Sequence, residues 1–285
     1  MNIGIIAGSG FYRMEGMEVK ERVKVDTPYG SPSSEIVIGK LGGKEIAFLS
    51  RHAEGHLFIP SHINYRANIF AFKLLGVKKI FSVSAVGSLR EDIKPGDFVV
   101  PDQLIDFTKN RINTFFEPGL AAHVSMAFPF CEKMRRLLIS SAEELGIKTH
   151  ERGTYICIEG PQFSTKAESN LFRKWGADII GMTNLPEAKL AREAEICYAT
   201  LALVTDYDCW HESEEKVTVE MILNVMAKNV ERAKSLLKRC IEKIDDGDCE
   251  CNYSLKDVFV TNPSLANKDV IEKLRPILGK YFEKK

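Results

Sequence analysis

Two acidic side chains close an otherwise apolar run. The segment Thr205-Asp206-Tyr207-Asp208-Cys209-Trp210 follows the apolar stretch that begins at Tyr198. On an extended strand, residues two apart project to the same side, so Asp206 and Asp208 would share a face. An apolar surround and a like-charged neighbour both raise a carboxyl pKa. One of the pair can then keep its proton near neutrality and act as a general acid. A surface turn with two solvated aspartates is the plain alternative.

Other segments carry groups suited to a small anion. Arg51-His52 comes directly after an apolar strand; a guanidinium can grip an oxyanion through two parallel N–H groups, and His52 can add a further donor. Ala7-Gly8-Ser9-Gly10 ends the first strand, but Arg13 stands where a dinucleotide fingerprint needs glycine. What remains is a serine between glycines, offering N–H groups and a hydroxyl, or simply a tight turn. Ser82–Leu89 ends a strand with small residues, which either admit a ligand close to the backbone or pack tightly. In Glu159-Gly160-Pro161-Gln162-Phe163-Ser164 the aromatic Phe163 can stack on a flat ring or fill the core. His52, His56 and His62 suggest a metal, but the spacing is not His-Glu-x-x-His, and Gly55 and Pro60 deny them a common helical face.

These groups need strands to end at one edge and helices to cover the sheet. Ile3–Ala7, Ile80–Ala85, Phe98–Val100, Thr154–Glu159, Asp178–Met182 and Tyr198–Thr205 read as strands, and Glu35–Gly39 with Glu45–Ser50 as a hairpin about Gly42-Gly43. Helical spacing marks Ser61–Leu75, Cys131–Leu145, Ala167–Trp175, Leu185–Glu195, Val219–Lys243 and a charged last helix, Lys268–Tyr281. The alternation predicts an α/β fold. No linker divides residues 1–245, and residues 246–285 form an appendage.

The chain has 285 residues with 39 basic and 39 acidic side chains, so it lacks the basic excess of a nucleic-acid binder. No apolar run reaches the roughly 18 residues that span a bilayer. The N-terminus has no positive region before its apolar strand, so the expected location is the cytoplasm. Seven cysteines show no CxxC pair and no zinc-ribbon spacing, so a structural zinc is not expected. Cys249-Glu250-Cys251 lies in the polar tail, where oxidation to a disulfide is an open question. With only two glutamines, the composition suits the thermophiles in which intracellular disulfides occur.

Taken together, GIIAGSGFY, SRHAEGHLFIPSHINYRANI, SAVGSLREDIKPGDFVVPDQLIDFT, IEGPQFSTKAES, WGADIIGMTNLPEAKLAREAEICYA and TDYDCW resemble the trimeric purine nucleoside phosphorylase superfamily, and closely its 5′-methylthioadenosine phosphorylase branch. They stand in family order over residues 2–240. The resemblance implies a single α/β domain with a central mixed twisted sheet flanked by helices. It implies phosphate held by Ser9, Arg51, His52, Ser84 and Thr183, where the family often has threonine at the positions of Ser9 and Ser84. Met182 would lie under the ribose, and Phe163 would stack near the base beside Ala85 and Ser164. Asp206 and Asp208 would address the purine N7 and 6-amino group. His56 and Ile222 would line the 5′ pocket, joined by His123 from a neighbouring subunit.

The implied reaction is phosphorolysis of methylthioadenosine, with inorganic phosphate as co-substrate and no cofactor or metal. A carboxylate accepts from the 6-amino group, which favours adenine over hypoxanthine. The segment from Thr183 to Glu187 is similar in methylthioinosine-using relatives, so a broader purine or methylthioinosine phosphorylase is an alternative. A nucleosidase, a metal hydrolase on the three histidines and a non-catalytic nucleoside-binding protein are the other rivals. The resemblance also implies a homotrimer, or a hexamer built as a dimer of trimers, and no nucleic-acid or membrane partner.

Overall fold

The computed structural model describes every residue except 9, 12, 213–218, 263 and 283–285, with backbone alone at 219–223. In chain order the strands are β1 (Ile3–Ala7), β2 (Glu18–Val23), β3 (Ile36–Leu41), β4 (Lys44–Ser50), β5 (Lys79–Ser88), β6 (Phe98–Val99), β7 (Gln103–Phe107), β8 (Thr149–His150), β9 (Thr154–Ile158), β10 (Ile179–Gly181) and β11 (Cys197–Tyr207). The helices are α1 (Tyr65–Leu74), α2 (Glu132–Glu144), α3 (Lys166–Lys174), α4 (Asn184–Glu193), α5 (Val219–Lys243), α6 (Lys268–Lys273) and α7 (Arg275–Phe282). All the strands join one mixed sheet along β2-β3-β4-β1-β5-β10-β9-β7, with β11 on β5 and the short β6 and β8 beyond it.

Strand β1 is buried at every position, because both faces of the sheet are covered and no residue can alternate toward water. One face packs on α1, α4 and α7 through residues such as Ile69, Leu190 and Leu278. The opposite face packs on α2 and α5, where Leu138, Leu236, Leu237 and Ile241 close a second core. Helix α1 starts where the Asn64 side chain accepts from the Ala67 N–H at 3.1 Å, satisfying an otherwise orphaned donor. Pro60–His62 is a separate 3₁₀ turn, so the helix expected over Ser61–Leu75 is shorter at its start.

Further elements differ from the sequence reading, among them the short β8, which forms by pairing with β6. Strand β2 is charged and almost wholly exposed; it exists because β3 pairs with it at the sheet edge, not because a face is buried. Strand β7 is likewise defined by its parallel pairing with β9. The last helix breaks at Leu274 into α6 and α7, since Pro276 lacks the N–H that would continue the ladder. Beyond that break the tail is well anchored: Leu255, Val270, Leu274, Ile277 and Leu278 share a core with Ile69 and Tyr198.

The site follows from a change of neighbours along β5. Residues Lys79–Val83 pair in parallel with β1, whereas Gly87 and Ser88 pair antiparallel with β10. Between them Ser84, Ala85 and Val86 have no ladder partner on that edge, and a crevice opens there, as at the switch points of α/β sheets. On its other edge β5 pairs with β11 throughout, with an irregularity at Thr205, between Val204 and Asp206. Such a bulge turns the following side chains relative to the regular pleat.

Candidate active site

A cleft of about 310 Å³ occupies this switch point. At one end it gathers hydroxyls. The Ser84 Oγ lies 3.2 Å from the Thr183 Oγ1 and 3.1 Å from the Tyr155 hydroxyl, all buried. Thr183 immediately precedes α4, and its side chain makes no capping bond, which leaves the hydroxyl turned to the cleft. Gly8 forms the wall opposite. A methyl group there would sit 3.0 Å from Arg51 Nη1, so only glycine lets the backbone approach the guanidinium this closely.

Arg51 is 1% exposed, yet its forked edge does not face the cleft. Nε donates to Glu187 Oε2 at 2.7 Å and Nη2 donates to Glu187 Oε1 at 2.8 Å. Nη2 also donates to Ser82 Oγ at 2.8 Å, and Nη1 to the Val83 carbonyl at 3.0 Å. Nη2 also reaches the Ile6 carbonyl at 3.5 Å, so its hydrogens are taken, whereas Nη1 has two hydrogens and one bond, which leaves one hydrogen near Gly8 for an anion. The bidentate grip considered from sequence is therefore taken by Glu187. Burial pulls the Arg51 pKa down, but the Glu187 carboxylate outweighs it and holds the value above the ordinary one. Glu187 itself is wholly buried and also accepts from Ser82 and Tyr198, each within 2.9 Å.

His52 differs from its expected role as a donor. Its Nδ1 lies 2.7 Å from the Phe58 carbonyl, which assigns the proton to that nitrogen. Burial pushes the ring's pKa down to about 4, against the Phe58 bond, so it is neutral at pH 7. Its Nε2 thus offers a lone pair, and it donates there only if a proton arrives with the anion. The His56 ring stacks on it, with centroids 4.2 Å apart. His62 does not join them in a metal-ligating group: among the described residues only four cysteines form such a group.

The acid end lies across the crevice. Burial pushes Asp206 up to about 6, with Asp208 adding to the rise and a 2.6 Å bond from Thr205 Oγ1 opposing it. Asp208 is raised in the same direction by burial, and its Oδ2 is buried without a hydrogen-bond partner. The Ser164 Oγ is likewise buried and unpartnered. Such atoms are rare in folded proteins unless a ligand completes them. Gly87 is the β5 residue facing the two acids: a methyl group there would stand 3.5 Å from Asp206 Oδ2 and 3.6 Å from Asp208 Cβ.

Ala85, Met182 and Phe163 also line the cleft. The Met182 carbonyl accepts from Arg111 Nη1 at 2.7 Å. Arg111 bonds the Leu185 carbonyl and the Glu159 carbonyl too, tying two cleft loops together. Phe163 is 79% exposed at the mouth, so it is not core filler. Ser9 and the Ile222 side chain lie outside the described residues. His123 is not brought to this cleft in a single chain; it lines a separate groove, its N–H donating to the Val258 carbonyl. Asn184 and Leu185 do not line the cleft, and Asn184 bonds Thr200 and Tyr198 behind it.

Sequence reading missed Glu187, Arg111 and Tyr155. The signal for Glu187 was present: an acid flanked by Leu185, Pro186 and Ala188 must find a cation once buried. Arg111 and Tyr155 carry no such local sign.

The family model of the phosphorylase superfamily matches residues 2–242, most of the chain. The chain belongs to the phosphorylase superfamily. It is 56% identical over 264 residues to S-methyl-5′-thioadenosine phosphorylase of Hyperthermus butylicus, covering 91% of this chain and 96% of that one. The Koribacter versatilis protein of the same name is 50% identical, with 98% and 96% covered. Among solved structures, a methylthioadenosine phosphorylase from an Antarctic soil metagenomic library superposes with a TM-score of 0.92 at 48% identity, covering 97% of this chain and 98% of that one. A Schistosoma mansoni adenosine/methylthioadenosine phosphorylase variant in complex with methylthioadenosine gives 0.82 at 35% identity, over 98% and 97%. The described residues contain no helix long and apolar enough to cross a membrane.

Proposed function

We propose that this cleft cleaves 5′-methylthioadenosine with inorganic phosphate, giving adenine and 5-methylthioribose 1-phosphate. The observation that carries the reading is the pairing, in one crevice, of the Ser84–Thr183 hydroxyls with a carboxyl raised to about 6 at Asp206. Phosphate would take the hydroxyls, the free Arg51 Nη1 hydrogen and, by the family resemblance, Ser9. The glycosidic bond loosens first, leaving positive charge on the ribosyl ring that the anion beneath it stabilises. Phosphate then captures C1′ with inversion, the two reactants being already in place. Asp206 delivers its proton to N7, so the base leaves neutral, and the unpartnered Asp208 Oδ2 accepts from the 6-amino group.

An adenine base suits a donor at N7 and an acceptor at the 6-amino group, and placing a 6-oxo group against Asp208 would leave a buried mismatch of about 1–3 kcal/mol. Ile59, Pro60 and Met226 give the cleft an apolar side for a methylthio group. Adenosine would be a slower, secondary substrate, since its hydroxyl forfeits an apolar contact of about 1–3 kcal/mol. The test is base release from methylthioadenosine, adenosine, inosine and methylthioinosine, with and without phosphate. Methylthioadenosine should turn over fastest, and only with phosphate; release in water alone would make it a nucleosidase. Gly8→Ala should raise KM for phosphate about tenfold or more and change KM for nucleoside little, because a group held by charge-assisted bonds of about 1.5–3 kcal/mol is displaced. Initial rates with each substrate varied in turn would show it.

The assembly belongs to the same proposal. Leu57, Phe58, Ile59 and Phe163 are exposed beside the cleft, an apolar rim that a second copy would cover. A trimer, or a dimer of trimers, would let His123 of a neighbouring subunit reach the 5′ pocket; sedimentation giving only monomer would refute this. Seven unpaired cysteines suit the reducing cytoplasm proposed for the enzyme.

A further inference from the structure

Four segments far apart in sequence deliver one thiol each to a single point. Cys131 immediately precedes α2, Cys197 opens β11, and Cys249 and Cys251 lie at the short turn Glu250–Tyr253 in the tail. Their sulfur atoms all lie within 4.8 Å of one another, and three of the residues are buried. Cys131 Sγ and Cys249 Sγ are 3.7 Å apart. A disulfide needs about 2.05 Å, and none of the seven cysteines is bridged. A tetrahedron of sulfurs around zinc, with Zn–S about 2.3 Å, has edges of about 3.8 Å.

We propose that Cys131, Cys197, Cys249 and Cys251 form a closed tetrathiolate site for zinc(II) that fastens the C-terminal tail to the sheet. Four sulfurs fill a tetrahedral shell and leave no open position, which is the pattern of a structural site and not a catalytic one. Each thiol gives up its proton on binding, so the filled site carries a net charge of −2. Arg192 stands ready to offset it, with Nη1 3.4 Å from Cys251 Sγ. The Asn252 N–H donates to the Cys249 carbonyl and the Asn252 side-chain oxygen accepts from the Cys249 N–H, both at 2.9 Å, which fixes the turn that presents the two tail cysteines. The site departs from the expectation of no structural zinc, because the ligands come as two single cysteines and one CxC pair, without the paired spacing of a zinc ribbon.

The test begins with the full-length enzyme purified without chelator or added reductant and analysed for metal by plasma mass spectrometry. One zinc per chain is expected. Titration of the native protein with an organomercurial should release that zinc in proportion to four thiols blocked. Cobalt(II) exchanged into the site should show the visible ligand-field bands of a tetrahedral thiolate complex. Cys251→Ser should bind zinc at least tenfold more weakly and melt earlier, while Cys240→Ser, buried elsewhere, should retain one zinc. If Cys251→Ser fails to fold, the wild-type titration alone decides. Two outcomes overturn the proposal: metal below a tenth of an equivalent with all four thiols open to alkylation, or an intact mass two or four hydrogens light with bridges mapped among these cysteines.

Discussion

Asp206→Asn is expected to lower kcat/KM for methylthioadenosine by about 10²–10⁴-fold, the usual contribution of a placed general acid. The pH profile should change with it. The acid form of Asp206 prevails below about 6, so at saturating phosphate the wild-type kcat/KM should fall as pH rises through that value, and the variant should lack this limb. The gap to methylthioinosine should narrow, since an amide N–H can hydrogen-bond both N7 and a neighbouring 6-oxo group but has no proton to deliver to a departing aminopurine. Unchanged kinetics on both nucleosides would remove Asp206 from the chemistry.

The same substitution should stabilise the protein at alkaline pH. The folded pKa of about 6 lies above the ordinary 3.8, so the native state binds the extra proton between those values. Stability is then greatest below about 4 and falls as pH rises through about 6, by about 3 kcal/mol in all. An amide carries no such penalty. Calorimetry should find the variant melting higher than wild type at pH 8, with the difference gone near pH 4. Loss of activity with gain of stability cannot be mistaken for misfolding.

Glu187→Ala should be the most damaging single change to the fold around the site. It strips a fully buried cation of its partner, at a cost of about 3–5 kcal/mol. Replacing both members with apolar side chains, as Arg51→Met with Glu187→Leu, should recover most of that stability, because no buried charge remains. Phosphate binding should not recover: KM for phosphate should stay raised about tenfold or more, since the Nη1 donor beside Gly8 is gone. Denaturant melts and phosphate kinetics on the single and double variants separate the two effects. Recovery of both would show that Arg51 is scaffold alone.

These predictions divide along what can be read from a chain and what cannot. Apolar runs at strand length, glycine stops and helical spacing located β1, β5, β9, β11 and α5 to within a few residues, because both cores of a covered sheet demand those patterns. The same reading placed Arg51 and Asp206 at strand ends, where α/β sheets hold their ligands, whereas β5 runs on past Ser84 to Ser88. The acid pair was legible because charge at the end of a buried strand is costly and so conspicuous.

Tertiary structure decided the rest. Edge strand β2 has no buried face and left no apolar period; only β3 makes it a strand. The bulge at Thr205, which sets where Asp206 points, is a mismatch between two strands and belongs to neither sequence alone. Arg51 meets Glu187 across 136 residues, and Cys131 meets Cys249 across 118. Local pattern reports how each segment relates to water, whereas partners so distant are chosen by the packing of the whole sheet, which is why the chemistry of the site was visible in the chain but its wiring was not.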